Sequence, residues 1–271
     1  MIENEAATRL IIFLGLLTLF ALLERLTPRR ELNFSKSKRW FNNFGLLVID
    51  SVFVRIIFPT AAVGGALFAY ERNIGLLNHF NPGSILSIII AVLALDLLIY
   101  FQHRIFHQVP ILWRLHRVHH TDQDFDVATS FRFHPVEILL SMLIKMIAVI
   151  SLGAPPIAVL IFEIILNSTA IFNHSNWNLS TRIDSWLRLI IVTPDMHRVH
   201  HSVVVNETNS NYGFNIPWWD RLFGTYCSQP KAGHTDMVIG IKEFQKEDEL
   251  RLDKLLIQPL ITPPKAKADM K

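Results

Sequence analysis

The chain has 271 residues, 51% of them hydrophobic and only 18% charged, with a mean hydropathy of +0.31, which excludes an ordinary soluble domain of this size. A formal net charge of +3 does not point to nucleic acid, because the basic residues lie beside apolar runs and are not interleaved with exposed aromatics as a single-strand groove requires. The one cysteine, Cys227, excludes an internal disulfide and a thiolate metal cluster.

Residues 1–9 (MIENEAATR) form no basic n-region and no small-residue cleavage site follows the first apolar run, 10–23, so that run is expected to be a retained anchor and not a signal peptide. Further apolar runs occupy 44–70, with Asp50 and Arg55 inside, then 84–101, 136–152 and 156–173, each long enough or nearly so to cross a bilayer. The fold expected is an all-α integral membrane protein with four to five transmembrane helices. Arg25, Arg29, Arg30, Lys36, Lys38 and Arg39 follow the first run, whereas Glu3, Glu5 and Arg9 precede it, so residues 27–43 are expected in the cytoplasm. From there 71–83 falls outside, the third span returns inward at Phe101, and the last two spans form a hairpin at Gly153-Ala154-Pro155-Pro156. Everything from about 174 onward is then cytoplasmic.

Eleven of the twelve histidines fall on that same inner face, and only His79 lies outside. In HRIFH, His103 and His107 are four apart and share a helical face. The pentapeptide HRVHH occurs twice, at 116–120 and 197–201, and in each copy the first histidine is followed at offsets three and four. Three imidazoles thus converge on one helical face, each able to offer one ring nitrogen to a metal while a neighbour holds the other. With His174 the cluster reaches nine, more than one first-row ion takes, so two ions are expected. His79 and His234 read as surface or hydrogen-bonded residues, and His134 in RFHP fits either role. The arginines at 104, 114, 117, 132 and 198 read as inside-facing charges in preference to lipid-headgroup ligands. Asp96 forms a stripe with Tyr100, His103 and His107 and is expected to support the site, since an ionisable group this close to hydrocarbon is usually kept for function. Glu163 lies about three turns, roughly 16 Å, before His174 and is too far to be a ligand.

The succession HRIFH (103–107), LHRVHH (115–120), FRFHP (131–135), NHSN (173–176), TPDMHRVHHS (193–202) and NYGFNIPWWDRLFGTY (211–226) closely resembles the fatty acid hydroxylase and sterol desaturase superfamily over roughly residues 90–226. Domains are expected as membrane anchor helices in 1–80, a catalytic domain like that of this family in 81–226 and a cytoplasmic tail in 227–271, with 1–80 and 228–271 adding little to the resemblance. The resemblance implies a helical stem capped by a cytosolic, histidine-lined di-iron centre that hydroxylates or desaturates a fatty acyl chain, sterol or related lipid with O2 and two electrons. Carried over by position, the iron ligands are His103, His107, His116, His119, His120, His174, His197, His200 and His201. Some members have a further histidine where Asn178 stands here, so Asn178 or His134 would complete the shell, and Asp96 and Asn178 are candidate catalytic residues. In this resemblance Asp220 and Arg221 close the cap and are structural. No dinucleotide fingerprint or fused haem domain is evident, which implies a separate reductase, ferredoxin or b-type cytochrome as electron donor.

A zinc hydrolase would need a general-base glutamate as in HExxH, and none of the histidine pairs contains one. A metal carrier or bis-histidine haem protein would place its ligands near the bilayer midplane, whereas these lie past the helix ends. Metal analysis separates these readings, although zinc in an overexpressed sample is ambiguous because it outcompetes ferrous iron at nitrogen sites. The ending AKADMK lacks a dilysine signal, and a bacterial inner membrane is the expected address.

Overall fold

The computed structural model describes residues 5–262, so the terminal AKADMK lies outside the described residues. The chain is 69% helical, with isolated bridges but no strands among the described residues. Five apolar segments suffice in length and composition to cross a bilayer.

The first apolar run is α1 (Glu5–Leu26). The second is not one helix. It divides into α2 (Lys36–Ile57) and α3 (Ala61–Glu71), because Pro59 has no N–H to continue the ladder and its ring excludes a helical predecessor. After the short α4 (Leu76–Phe80) comes α5 (Ser84–Gln108), which runs unbroken until Pro110 opens α6 (Pro110–His120). A 3-10 turn at Val127–Phe131 leads to α7 (Pro135–Leu152) and α8 (Pro156–Asn173). The remainder holds α9 (Thr181–Leu187), α10 (Pro194–His200), α11 (Val205–Thr208), α12 (Trp218–Leu222), α13 (Gly233–Asp236) and α14 (Leu252–Ile257). Proline at the first turn starts α6, α7, α8 and α10, where its missing donor costs nothing and its fixed φ suits the helix.

The stem core lies between α3, α5, α7 and α8, where Ala66, Leu95, Val149, Val159 and Phe162 are buried together. Its far end is closed by backbone contact between Gly75 (φ 99°) and Gly153 (φ 64°). A Cβ on Gly75 would sit 2.2 Å from the Gly153 nitrogen, so neither position has room for a side chain. That contact brings residues 72–83 to the same end as the hairpin turn at 153–156. The opposite end gathers residues 27–35, 109–134 and 174–262. Here Arg39, counted from sequence among the basic residues after the first run, is buried and bonded to Asp122 (2.7 and 2.8 Å) and Asp126 (2.8 Å). Glu24 at the end of α1 accepts from the backbone N–H groups of Val127 (3.1 Å) and Asn176 (3.2 Å). Residues 227–262 lie on this cap. Met237 and Ile239 pack on Phe125, while Leu252 and Leu255 pack on Leu46 and Val118.

Candidate metal centre

Nine histidines meet at the cap end of the stem in two groups. His103, His107, His116, His120 and His200 form group A, and His119, His174, His197 and His201 form group B; within each group the ligand atoms lie within 4.8 Å of one another. The groups adjoin, with the His120 and His201 rings stacked at 4.6 Å. Each HRVHH copy serves both groups, so the three imidazoles expected on one helical face divide between two clusters. His116 and His120 go to A while His119 goes to B; His197 and His201 go to B while His200 goes to A. Helix geometry gives the reason. Residues four apart are about 40° apart around the axis and can meet on one ion, whereas the adjacent third and fourth residues diverge by about 100°.

The outer nitrogens are held individually. His103 Nδ1–H donates to the Tyr212 carbonyl (2.9 Å), His200 Nδ1–H to the Ser210 carbonyl (2.7 Å), and His174 Nδ1–H to the Ala170 carbonyl (2.8 Å). Among the described residues His116 alone has a carboxylate behind it, with Nδ1–H donating to Glu137 Oε1 (2.7 Å). These bonds leave Nε2 as the lone-pair atom, turned into the cluster. The Nε2 atoms of His103, His116 and His200 are buried with no protein partner. In group B, His174 Nε2 faces His119 Nε2 at 3.2 Å and His197 Nε2 at 3.1 Å. Buried lone pairs aimed at one another are costly unless a shared cation satisfies them, so the donor set fits a metal ion in each group.

Protonation agrees. Burial pushes His116 down to about 3 and His174 down to about 4. His119, His120, His197, His200 and His201 are driven well below the usual histidine range, first by burial and then by neighbouring imidazoles. All are neutral at physiological pH, the form that ligates. No carboxylate joins either group among the described residues. Such all-nitrogen shells suit first-row transition metals, zinc included, in preference to the oxygen-ligated hard cations.

The supporting frame is polar and buried. Burial alone would raise the Asp122 carboxyl, but Arg39 and Arg132 hold it at about 2. Arg132 donates to the Val118 carbonyl (2.8 Å), Asn43 Oδ1 (3.0 Å) and Thr121 Oγ1 (3.0 Å), fixing the end of α6. Arg198 pairs with Asp195, which also takes Arg29 (3.0 Å). Arg132 and Arg198 are thus buried ties, not the inside-facing charges the sequence suggested. Burial raises the Asp220 carboxyl to about 6, against three donors: the Tyr212 N–H, the Gly213 N–H and the Thr225 hydroxyl. It thereby shapes the loop that presents the Tyr212 carbonyl to His103, the structural role expected of it.

Several candidates lie elsewhere. His134 is outside both groups, because its Nδ1 accepts the Val136 N–H (3.2 Å) as the cap of α7 and its Nε2–H donates to the Leu256 carbonyl (3.1 Å). Asn178 is exposed and joined through its backbone N–H to the Thr27 carbonyl (2.9 Å), so it does not replace a ligand. Asp96 accepts from Trp219 Nε1 (2.7 Å), two turns of α5 below His103, and ties α12 to the stem. Glu163 pairs with Lys145 and Arg9, both at 2.7 Å. His234 is buried 3.6 Å from Asp195, and His79 is at the far end in α4. Sequence reasoning missed Glu137, although it stands three residues after His134 in FRFHPVE. It also missed the alternating aspartates of HHTDQDFD, whose acidic run after two ligands marks the Arg39 and Arg132 network.

Fold and site together define an all-helical, bilayer-spanning chain with a buried centre of nine neutral imidazoles built for metal. The chain belongs to the fatty acid hydroxylase family, whose profile matches residues 88–225. It is 29% identical to an ornithine lipid hydroxylase (OlsE) of Rhizobium tropici over 238 residues, 84% of this chain and 70% of that protein. It is 30% identical to human alkylglycerol monooxygenase over 138 residues, 50% of this chain but only 29% of that enzyme. Human cholesterol 25-hydroxylase is 28% identical over 177 residues, 64% of this chain and 62% of that protein. No solved structure gives a significant match.

Proposed function

We propose that this chain is a lipid monooxygenase that hydroxylates a membrane lipid with O2 and two externally supplied electrons at a pair of iron ions, one in each histidine group. The observation that carries the reading is the division of nine imidazoles into two adjoining groups, five and four, with their lone pairs turned inward. Iron bound there supplies the O2-activating redox chemistry needed to break an unactivated C–H bond. The protein's own contribution is positional. Glu137 and the carbonyls of Tyr212, Ser210 and Ala170 fix the rings, and the buried frame keeps water from all but one edge. That edge is His107, the only one of the nine with partial exposure, packed against Trp113 at 4.9 Å, and it is where a lipid reaches the centre. Hydroxylation is favoured over desaturation because the relatives named above are hydroxylases and monooxygenases. A zinc hydrolase lacks support, since the nearby carboxylate, Glu137, is turned to the outer nitrogen of His116 and not toward the cluster's centre.

The electron donor in this reading is a separate reductase, ferredoxin or b-type cytochrome, and the address is a bacterial inner membrane with the cap in the cytoplasm, as the basic segment 27–43 suggests. The test is turnover by the iron-loaded enzyme in lipid nanodiscs under ¹⁸O2. Incorporation of one labelled oxygen atom into a lipid is expected, and product under strict anaerobiosis refutes the proposal.

A further inference from the structure

The cap carries an apolar edge. Trp186, Leu189, Ile190, Trp218 and Leu222 are 66%, 51%, 69%, 49% and 69% exposed, although they are large and apolar. They form one surface, because Trp218 Nε1 donates to the Leu189 carbonyl (2.6 Å) and the Arg221 guanidinium to the Arg188 carbonyl (2.8 Å), joining α12 to the end of α9. A contiguous patch of this kind on a water-facing domain marks an interaction site.

What covers it follows from where α12 is attached. Trp219 Nε1 donates to Asp96 (2.7 Å), and the Phe223 ring lies 5.3 Å from Tyr100 and 5.0 Å from Phe101. All three partners belong to α5, the 25-residue helix that carries the most apolar stretch of the five spans. Asp96 lies about 18 Å along the helix from Ser84. A hydrocarbon core of about 30 Å that begins at Ser84 ends near His103 and Arg104. Asp96, Tyr100 and Phe101, with the α12 residues fastened to them, therefore lie below the water boundary. Arg104, the first basic residue along α5, falls at the level of the headgroups, where a snorkelling cation is stable. The two exposed tryptophans suit the same boundary.

We propose that the α9–α12 edge is submerged in the acyl layer of the cap-side leaflet, so that the cap is partly sunk in the membrane instead of standing above it. The occupant of the apolar surface is lipid chain, because the surface is continuous with the flank of a membrane-spanning helix. The metal centre then sits at the hydrocarbon boundary, and a lipid moves to His107 sideways, without leaving the bilayer. The placement does not depend on the identity of the metal or the reaction.

The test uses the full chain in nanodiscs with Cys227→Ser as background and a nitroxide at Ile190→Cys, Leu222→Cys or, on the water-facing side, Arg251→Cys, whose native side chain is 64% exposed. Power-saturation EPR should show labels at 190 and 222 relaxed several-fold more by O2 than by a water-soluble nickel chelate, with the reverse at 251. Relaxation by nickel at 190 and 222 overturns the proposal, as does shielding from both reagents, which would make the edge a contact between two copies. Without any label, acyl-brominated phosphatidylcholine should quench wild-type tryptophan fluorescence more than that of Trp186→Phe, and equal quenching also overturns it.

Discussion

Replacing Glu137 with alanine removes the one side-chain carboxylate that, among the described residues, stands behind a ligand, and should weaken one metal ion while sparing the other. His116 Nδ1–H donates to Glu137 Oε1 at 2.7 Å in a site where both side chains are about 95% buried, so no water replaces the acceptor. An unsatisfied buried donor costs about 1–3 kcal/mol. Loss of a partner that orients a ligating imidazole typically lowers metal affinity about 10- to 100-fold, the same range expressed as binding. Group B shares no ligand with His116 and should keep its ion. Glu137→Gln, whose amide oxygen can still accept, should lose less. The assay is anaerobic titration of the metal-free protein with ferrous iron against a competing chelator, with binding at two sites fitted separately. The reasoning is refuted if Glu137→Ala binds both ions as the wild type does, or if the two affinities fall together.

Neighbouring histidines should strip different ions: His119→Ala should lose the group B ion and His120→Ala the group A ion, each dropping the bound-metal ratio from two toward one by mass spectrometry. Both single variants should abolish turnover, and the His119→Ala/His200→Ala double variant should be no worse than either, because residues acting as a unit give non-additive losses. Arg39→Met breaks the buried ion pairs to Asp122 and Asp126, leaving Asp122 only Arg132 nearby, and should destabilise the cap by about 3–5 kcal/mol, read as a lowered thermal midpoint of the solubilised protein. For pH, the folded-state values of His116 (about 3) and His174 (about 4) lie below the unfolded histidine value of about 6.5. The unfolded chain therefore binds more protons as pH falls, so the metal-free protein should be fully stable above about 6.5 and lose stability progressively toward pH 4. A thermal midpoint that stays flat across that window contradicts neutral, buried imidazoles.

Much of this was legible along the chain. The apolar runs marked the stem, Gly153-Ala154-Pro155-Pro156 marked its hairpin, and nine clustered histidines marked a candidate metal centre, because helix-forming patterns and ligand spacings are local properties. Pro59 was equally visible as a break in the second run, yet only the folded chain shows α3 turning inward to pack beneath α7 and α8. The grouping of histidines across different helices could not be read from spacing, which pairs only His116 with His120 and His197 with His201. It is decided by the relative rotation of α5, α6, α8 and α10, and that rotation is set by contacts distant in sequence, such as Arg39 with Asp122 and Asp220 with the Tyr212 loop. His134 and Asn178 lost their candidacy for the same reason: the residues that engage them, Leu256 and Thr27, lie 122 and 151 positions away, where no local pattern reaches.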